Sequence, residues 1–187
     1  MIQPLRLSFT VACSAADAFD LWTLGTSMWW PKAHTISGER DAAVVIEPCL
    51  GGRIFERTRS GEEFVWGRIT GWQRPHAFTY RWHLSTPPEQ ATEVEVRFTG
   101  QDDGTTLVEI EHRGFEQLGA EGEARRQANR VGWETLIPHF AAACAERSAS
   151  PIRTKPATSR KLAKGDDRRA GSWSATSQME AMSVRSS

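Results

Sequence analysis

One long amphipathic stretch, at about residues 121–146, constrains the fold of this chain more than any other feature. Its large apolar residues recur at spacings of three and four, which places them on one face of a helix. These residues are Trp133, Leu136, Ile137, Phe140 and Cys144. No other apolar stripe of this length occurs among the 187 residues. Such a helix must bury its apolar face against another element, so the preceding chain has to supply that surface.

The segments before the helix are mostly typical of short strands. Apolar residues alternate with polar ones or with β-branched neighbours, and turn signals such as Ser60-Gly61 and Asp103-Gly104 separate the segments. The predicted strands cover residues 2–12, 42–47, 53–58, 64–72, 78–84, 93–98 and 107–112. Ser14 is typical of an N-cap, and two short helices are predicted after the first strand, the second ending at Pro31. Consecutive hairpins with segregated helices predict an α+β fold with an antiparallel sheet.

Charge and composition divide the chain near Arg147. Residues 1–147 contain 15 basic and 20 acidic side chains, whereas residues 148–187 contain 8 basic and 3 acidic ones. The second segment is also rich in Ser and poor in large apolar residues. We therefore predict one domain over 1–147 and a disordered, basic, Ser-rich tail over 148–187. Because Ser and Ala dilute the positive charge of the tail, we expect no nucleic-acid binding.

Several function classes find no support in the sequence. The three cysteines are far apart and lack metal-ligand spacing, so we expect reduced thiols and neither a metal nor an organic cofactor. No charged and apolar N-terminal leader and no run of about 18 apolar residues occurs, so we expect a cytoplasmic protein without membrane insertion. Nucleotide-binding glycine loops and the common catalytic motifs are absent as well.

Aromatic residues are the main candidates for a binding site. Seven of the eight tryptophans lie within 1–147, and clustered aromatic rings line many apolar pockets, although filling the core is the more common role of any single ring. A ligand between sheet and helix would contact side chains that face inward from both. The candidate ligand-binding residues are Trp30, His34, Trp66, Tyr80, Trp82, His112, Arg126, Asn129, Trp133 and Phe140.

Polar residues within this set allow more than one interpretation. His112 shares a strand face with Val108 and Ile110, so it should point toward the long helix, either as a hydrogen-bonded core histidine or as an acid or base. Asn129 and Arg126 continue the helix stripe backwards, where an arginine could meet a ligand carboxylate at a cavity mouth or simply extend into water.

Acidic and basic side chains in the early strands form a further possible pair. Glu47, Glu56 and Arg68 lie in or beside neighbouring predicted strands, so a carboxylate and a guanidinium could meet inside the fold, while a solvated surface ion pair is the default interpretation. The faces that Glu56 and Arg68 occupy stay open, because the sequence Trp66-Gly67-Arg68-Ile69 fits either alternation.

Seven short motifs together resemble the SRPBCC superfamily, and more narrowly its branch named after the C-terminal domain of the activator of heat-shock-protein ATPase. In chain order they are Ala18-Phe19-Asp20-Leu21-Trp22-Thr23, Trp29-Trp30-Pro31, Glu47-Pro48 with Gly51-Gly52-Arg53, Trp66-Gly67, Glu93-Val94-Glu95-Val96, Glu111-His112-Arg113-Gly114-Phe115 and Gly132-Trp133. The resemblance covers about residues 3–146. It implies a helix-grip fold, in which a curved antiparallel sheet of six to seven strands wraps a long C-terminal helix and encloses a cavity. Packing and close backbone approach explain Gly52, Gly67 and Gly132 in such a fold.

The resemblance does not imply one activity, because fold does not determine function. Our leading hypothesis is a binding protein for a small, largely apolar or amphipathic ligand. One alternative is a cyclase, dehydratase or hydrolase in which His112 acts as acid or base, helped by Glu56 or Tyr80. Another is a co-chaperone-like or regulatory interaction module, with a homodimer or a chaperone contact.

Overall fold

The structure is a computed structural model that describes residues 2–84 and 86–149. The predicted disordered tail lies outside the described residues from position 150 onward. Seven strands and three α-helices follow one another in the described part. In chain order they are β1 (Leu5–Val11), α1 (Ala15–Thr23), α2 (Thr26–Trp29), β2 (Ala43–Ile46), β3 (Arg53–Arg57), β4 (Glu63–Gln73), β5 (Ala77–Trp82), β6 (Thr92–Gly100), β7 (Thr106–Arg113) and α3 (Gly122–Ala149). Short 3₁₀ segments occupy Pro88–Gln90 and Phe115–Glu121.

The seven strands form one curved antiparallel sheet in the order β1-β7-β6-β5-β4-β3-β2. Each strand from β2 to β7 pairs with its neighbours in sequence, and β1 pairs with β7 from Leu5 opposite His112 to Val11 opposite Thr106. Alternate residues of β6 and β7 face inward, as their alternating sequence predicts. The α+β class and the helix-grip architecture are therefore confirmed.

Helix α3 lies across the concave face and buries the predicted stripe. Trp133, Leu136, Phe140 and Cys144 are the large residues of α3 that are almost fully buried. The ring of Phe140 packs edge-on against Trp22 and Trp29, with centroids 4.7 and 5.2 Å apart. The second half of α3 therefore packs tightly on the sheet and on the two short helices.

The two short helices form where the sequence places them. Ser14 is the N-cap of α1, and its hydroxyl oxygen accepts a hydrogen bond from the backbone N–H of Asp17 at 3.2 Å. The ring of Phe19, on the buried face of α1, contacts Phe78 and Phe98 of the sheet. This packing places α1 against β5 and β6.

A β-bulge in β4 decides the orientation that the sequence leaves open. Ile54 of β3 pairs with Gly67, whereas the next residue of β3, Phe55, pairs with Val65. Trp66 is therefore the extra residue on β4, and its side chain is buried. Arg68 lies on the exposed side and donates a hydrogen bond to the carbonyl oxygen of Gly51 at 2.8 Å.

Two of the three motif glycines are explained by close backbone approach. A Cβ at Gly52 would overlap the carbonyl oxygen of Glu47, and a Cβ at Gly67 would overlap the carbonyl oxygen of Arg81. Gly132 differs, because a Cβ there would meet no atom within 4 Å. The prediction of close approach is confirmed for Gly52 and Gly67 and is wrong for Gly132.

Among residues 2–84 and 86–149, no helix combines the length and the apolar character that crossing a bilayer requires.

Replacing Gly67 by alanine should destabilise the fold, because the atom that the new methyl group meets belongs to the paired backbone of β5 and cannot rotate away. We expect Gly67→Ala to lower the free energy of unfolding by about 1–3 kcal/mol in urea titrations. Gly132→Ala is the control, since its methyl group has space and alanine favours a helix by about 0.5–1 kcal/mol. Equal effects of the two substitutions would contradict this explanation.

Candidate functional site

A cavity of about 590 Å³ lies between the sheet and the first half of α3. One wall is α3 from Arg125 to Leu136, and another is formed by Trp66 and Trp82 at the sheet. Trp30 and residues 33–36, in the segment between α2 and β2, complete the lining together with Leu84. This volume lies within the range of about 300–1,000 Å³ that small-molecule sites occupy.

Six of the ten residues predicted from the sequence lie in the cavity wall. They are Trp30, His34, Trp66, Trp82, Asn129 and Trp133. The rings of Trp30 and Trp66 have centroids 5.3 Å apart, and those of Trp66 and Trp82 have centroids 5.9 Å apart. The aromatic surface is therefore continuous across part of the cavity.

Tyr80, Phe140 and Arg126 lie outside this wall. Tyr80 lines a small adjoining recess of about 20 Å³, and burial raises the pKa of its hydroxyl, so the phenol stays protonated. Phe140 belongs to the tightly packed core. Arg126 donates to the carbonyl oxygen of Gln3 at 2.8 Å and pairs with Glu123, so it ties the N-terminal chain to α3.

Arg125, rather than Arg126, is the arginine of the cavity wall. Arg125, Asn129 and Trp133 follow one another in steps of four along α3, and this spacing could have identified Arg125 from the sequence. Arg125 is half-buried, and none of the carboxylates in the described part of the chain forms an ion pair with it. A cationic group is therefore available to a ligand here.

His112 is fully buried and hydrogen-bonded through both ring nitrogens. Its Nδ1 accepts a hydrogen bond from Trp133 Nε1 at 3.3 Å, so Nε2 carries the proton and donates to Thr92 Oγ1 at 2.7 Å. The Thr92 hydroxyl in turn donates to the carbonyl oxygen of Trp82 at 3.2 Å. Burial lowers the pKa of His112 to about 3, so the imidazole is neutral near pH 7. These contacts are those of a hydrogen-bonded core histidine rather than of an acid or base.

Glu56 is also fully buried, so its interpretation as a solvated surface residue is wrong. Its carboxylate accepts hydrogen bonds from the backbone N–H of Ile36 at 2.6 Å and of Ser37 at 3.2 Å, and from the Ser37 hydroxyl. We call residues 31–42, between α2 and β2, the strap. The strap contains no helix or strand whose own hydrogen bonds could hold it in place. The hydrogen bonds from Ile36 and Ser37 to Glu56 therefore fix the position of the cavity-lining residues 33–36.

The remaining charges of the early strands lie at the surface. Glu47 accepts from Arg53 at 2.6 Å, and both side chains are about one-third exposed. The neighbouring guanidinium of Arg53 lowers the pKa of the Glu47 carboxyl. Cys13, Cys49 and Cys144 are free thiols. In the part of the chain that the structure describes, no group of three or more His, Cys, Asp or Glu side chains is arranged to hold a metal ion.

The buried His112 should make stability depend on pH. Between about pH 6.5 and 3 the unfolded chain binds a proton at His112 that the folded chain excludes, so the free energy of unfolding falls as the pH falls in this window. The slope from one such group reaches about 1.4 kcal/mol per pH unit. We expect His112→Gln to be less stable than the parent protein at pH 7, and the difference to shrink at pH 6 and pH 5 in urea titrations.

His139→Gln, at an exposed position of α3, controls for the loss of a histidine as such. A stability difference between parent and His112→Gln that stays constant from pH 7 to pH 5 would contradict the assignment of His112 as a neutral core residue.

Comparisons with known proteins agree with this architecture. The solution structure of CalC, a self-sacrificing resistance protein from Micromonospora echinospora, is similar with 26% identity and a TM-score of 0.58, over 77% of this chain and 95% of that one. Protein MLL2253 from Mesorhizobium loti is 12% identical with a TM-score of 0.56, over 78% and 98% of the two chains. An anthrahydroquino-gamma-pyrone synthase, Txn09, is 34% identical over 66% of this chain and 84% of that chain, with a TM-score of 0.48. No curated protein sequence matches the chain significantly.

The family assignment rests on most of the folded domain. Residues 12–145 match the family described as "Activator of Hsp90 ATPase homolog 1-like protein". This match agrees with the helix-grip architecture and with the seven motifs. The chain therefore belongs to the Activator of Hsp90 ATPase homolog 1-like family of the SRPBCC superfamily.

Proposed function

We propose that this protein binds a small, largely apolar ligand in the cavity between the sheet and α3. The observation that carries the proposal is the 590 Å³ cavity whose wall contains four tryptophans, Trp30, Trp66, Trp82 and Trp133. Aromatic walls contribute large apolar contact areas, while a few polar groups orient the ligand. The polar side chains available for this role are those of His34, Thr35, Arg125 and Asn129.

The contacts of His112 favour binding over catalysis by this residue. An acid or base must reach the proton that it transfers, directly or through one water molecule. Both nitrogens of His112 are engaged by Thr92 and Trp133, and its side chain is absent from the cavity wall. Glu56, its suggested helper, is engaged by the strap. The ligand-binding hypothesis needs neither residue as a catalyst.

Gly132 offers a way to fill the cavity without disturbing the fold. It lies in the cavity wall on α3, and a Cβ there would meet no atom within 4 Å. A larger side chain at this position therefore enters space that a ligand would use. Because glycine is unfavourable in a helix, the substitution should also not weaken α3.

We expect the probe 1-anilinonaphthalene-8-sulfonate, which is aromatic and anionic, to quench tryptophan fluorescence saturably with the parent protein. Gly132→Leu should weaken the apparent affinity at least about tenfold, the equivalent of about 1.4 kcal/mol, because the new side chain occupies the cavity. Its melting temperature should be equal to or higher than that of the parent.

Ala142→Leu is the matched control, since it adds the same side chain to the exposed side of α3. It should leave the affinity unchanged. Absence of saturable quenching, or equal affinities of the parent protein and Gly132→Leu, would count against a ligand site in the cavity.

A further inference from the structure

Trp66 carries a buried hydrogen-bond donor that no described residue of the chain satisfies. The side chain is 1% exposed, and no acceptor among the described residues lies within hydrogen-bond reach of its Nε1. Two other indoles of the cavity wall do have partners, since Trp30 Nε1 donates to the His34 carbonyl oxygen and Trp133 Nε1 donates to His112 Nδ1. Buried polar groups are nearly always paired, so this exception calls for an acceptor that residues 2–84 and 86–149 do not supply.

The location of Trp66 indicates where such an acceptor would come from. Trp66 lines both the 590 Å³ cavity and the small recess that adjoins it. The β-bulge of β4 sets this position, and the rings of Trp30 and Trp82 flank the indole at centroid distances of 5.3 and 5.9 Å. A ligand that fills the cavity therefore contacts the ring that bears the donor.

The surroundings of Trp66 favour an uncharged acceptor on a ligand that lies against the neighbouring tryptophan rings. The residues described as lining the recess include no charged side chain, and an ionised group is costly to bury without a partner. A pure hydrocarbon in the cavity would leave the buried Nε1–H without an acceptor. A carbonyl oxygen attached to an aromatic ring system satisfies the donor, while the rings of the ligand contact the tryptophans.

We propose that the cavity selects flat aromatic compounds bearing a ring carbonyl, and that Trp66 Nε1–H donates a hydrogen bond to this carbonyl oxygen. The inference rests on the proposed function and adds the chemical class of the ligand. Trp66 is on this basis a specificity-determining residue of the binding site.

The test compares two probes that differ only in the acceptor, fluorene and 9-fluorenone. Their dissociation constants are measured by equilibrium dialysis with the full-length parent protein, Trp66→Phe and Trp82→Phe. The compared quantity is the dissociation constant of fluorene divided by that of 9-fluorenone. This ratio should be about tenfold larger in the parent than in Trp66→Phe, which lacks the donor. Comparing ratios cancels the general loss that a smaller ring causes. Trp82→Phe, an equal loss of ring area in the same wall, should keep the parent ratio.

A spectroscopic readout on the parent protein makes the test independent of whether Trp66→Phe folds. The indole Nε1–H resonance of Trp66 should move downfield when 9-fluorenone binds and should not do so with fluorene. Equal ratios in the parent and Trp66→Phe, or no downfield movement, would overturn the assignment of Trp66. If neither probe binds while 1-anilinonaphthalene-8-sulfonate does, the ligand class is wrong and the cavity site stands. If none of the three compounds binds, the proposed function itself fails.

Discussion

The hydrogen-bonded series Trp133, His112, Thr92 and Trp82 is the interaction on which the arrangement of helix and sheet depends. It begins on α3, crosses β7 and β6, and ends on the backbone of β5. Apolar contacts are tolerant of small shifts, whereas a buried donor that loses its acceptor is costly. The series therefore holds α3 at one position along the sheet. The series forms only while the imidazole of His112 is neutral. Burial lowers the pKa of His112, so the imidazole is neutral near pH 7.

Helix α3 has two different halves on either side of this connection. In its second half, Phe140 and Cys144 are fully buried, and the ring of Phe140 packs against Trp22 of α1. Its first half, with Arg125, Asn129 and Gly132, forms a cavity wall. One helix thus provides both the core contacts that stabilise the domain and the surface that a ligand would meet. The mean hydropathy of the chain, −0.47, gives no hint of this division, because it averages over both halves and the tail.

The fold could be predicted from the sequence because periodicity and turn residues carry it directly. The strands around Tyr80 and Ile110 alternate regularly, and the stripe from Trp133 to Cys144 has helical spacing. The site was harder to predict, because its details depend on contacts between residues far apart in the sequence, which no short sequence pattern indicates. The bulge at Trp66 arises from pairing with β3, the burial of Glu56 arises from the strap, and a single step along α3 separates the cavity-lining Arg125 from Arg126.

The Glu56 carboxylate fastens the strap to β3, and one further contact joins the Glu39 carboxylate to the backbone N–H of Arg59. The pairing of the seven strands does not involve the strap. Loops tolerate insertions and deletions far better than sheets do. A relative with a glutamate at the position of Glu56 could therefore lengthen, shorten or recompose the strap, and with it one wall of the cavity, while inheriting an unchanged scaffold.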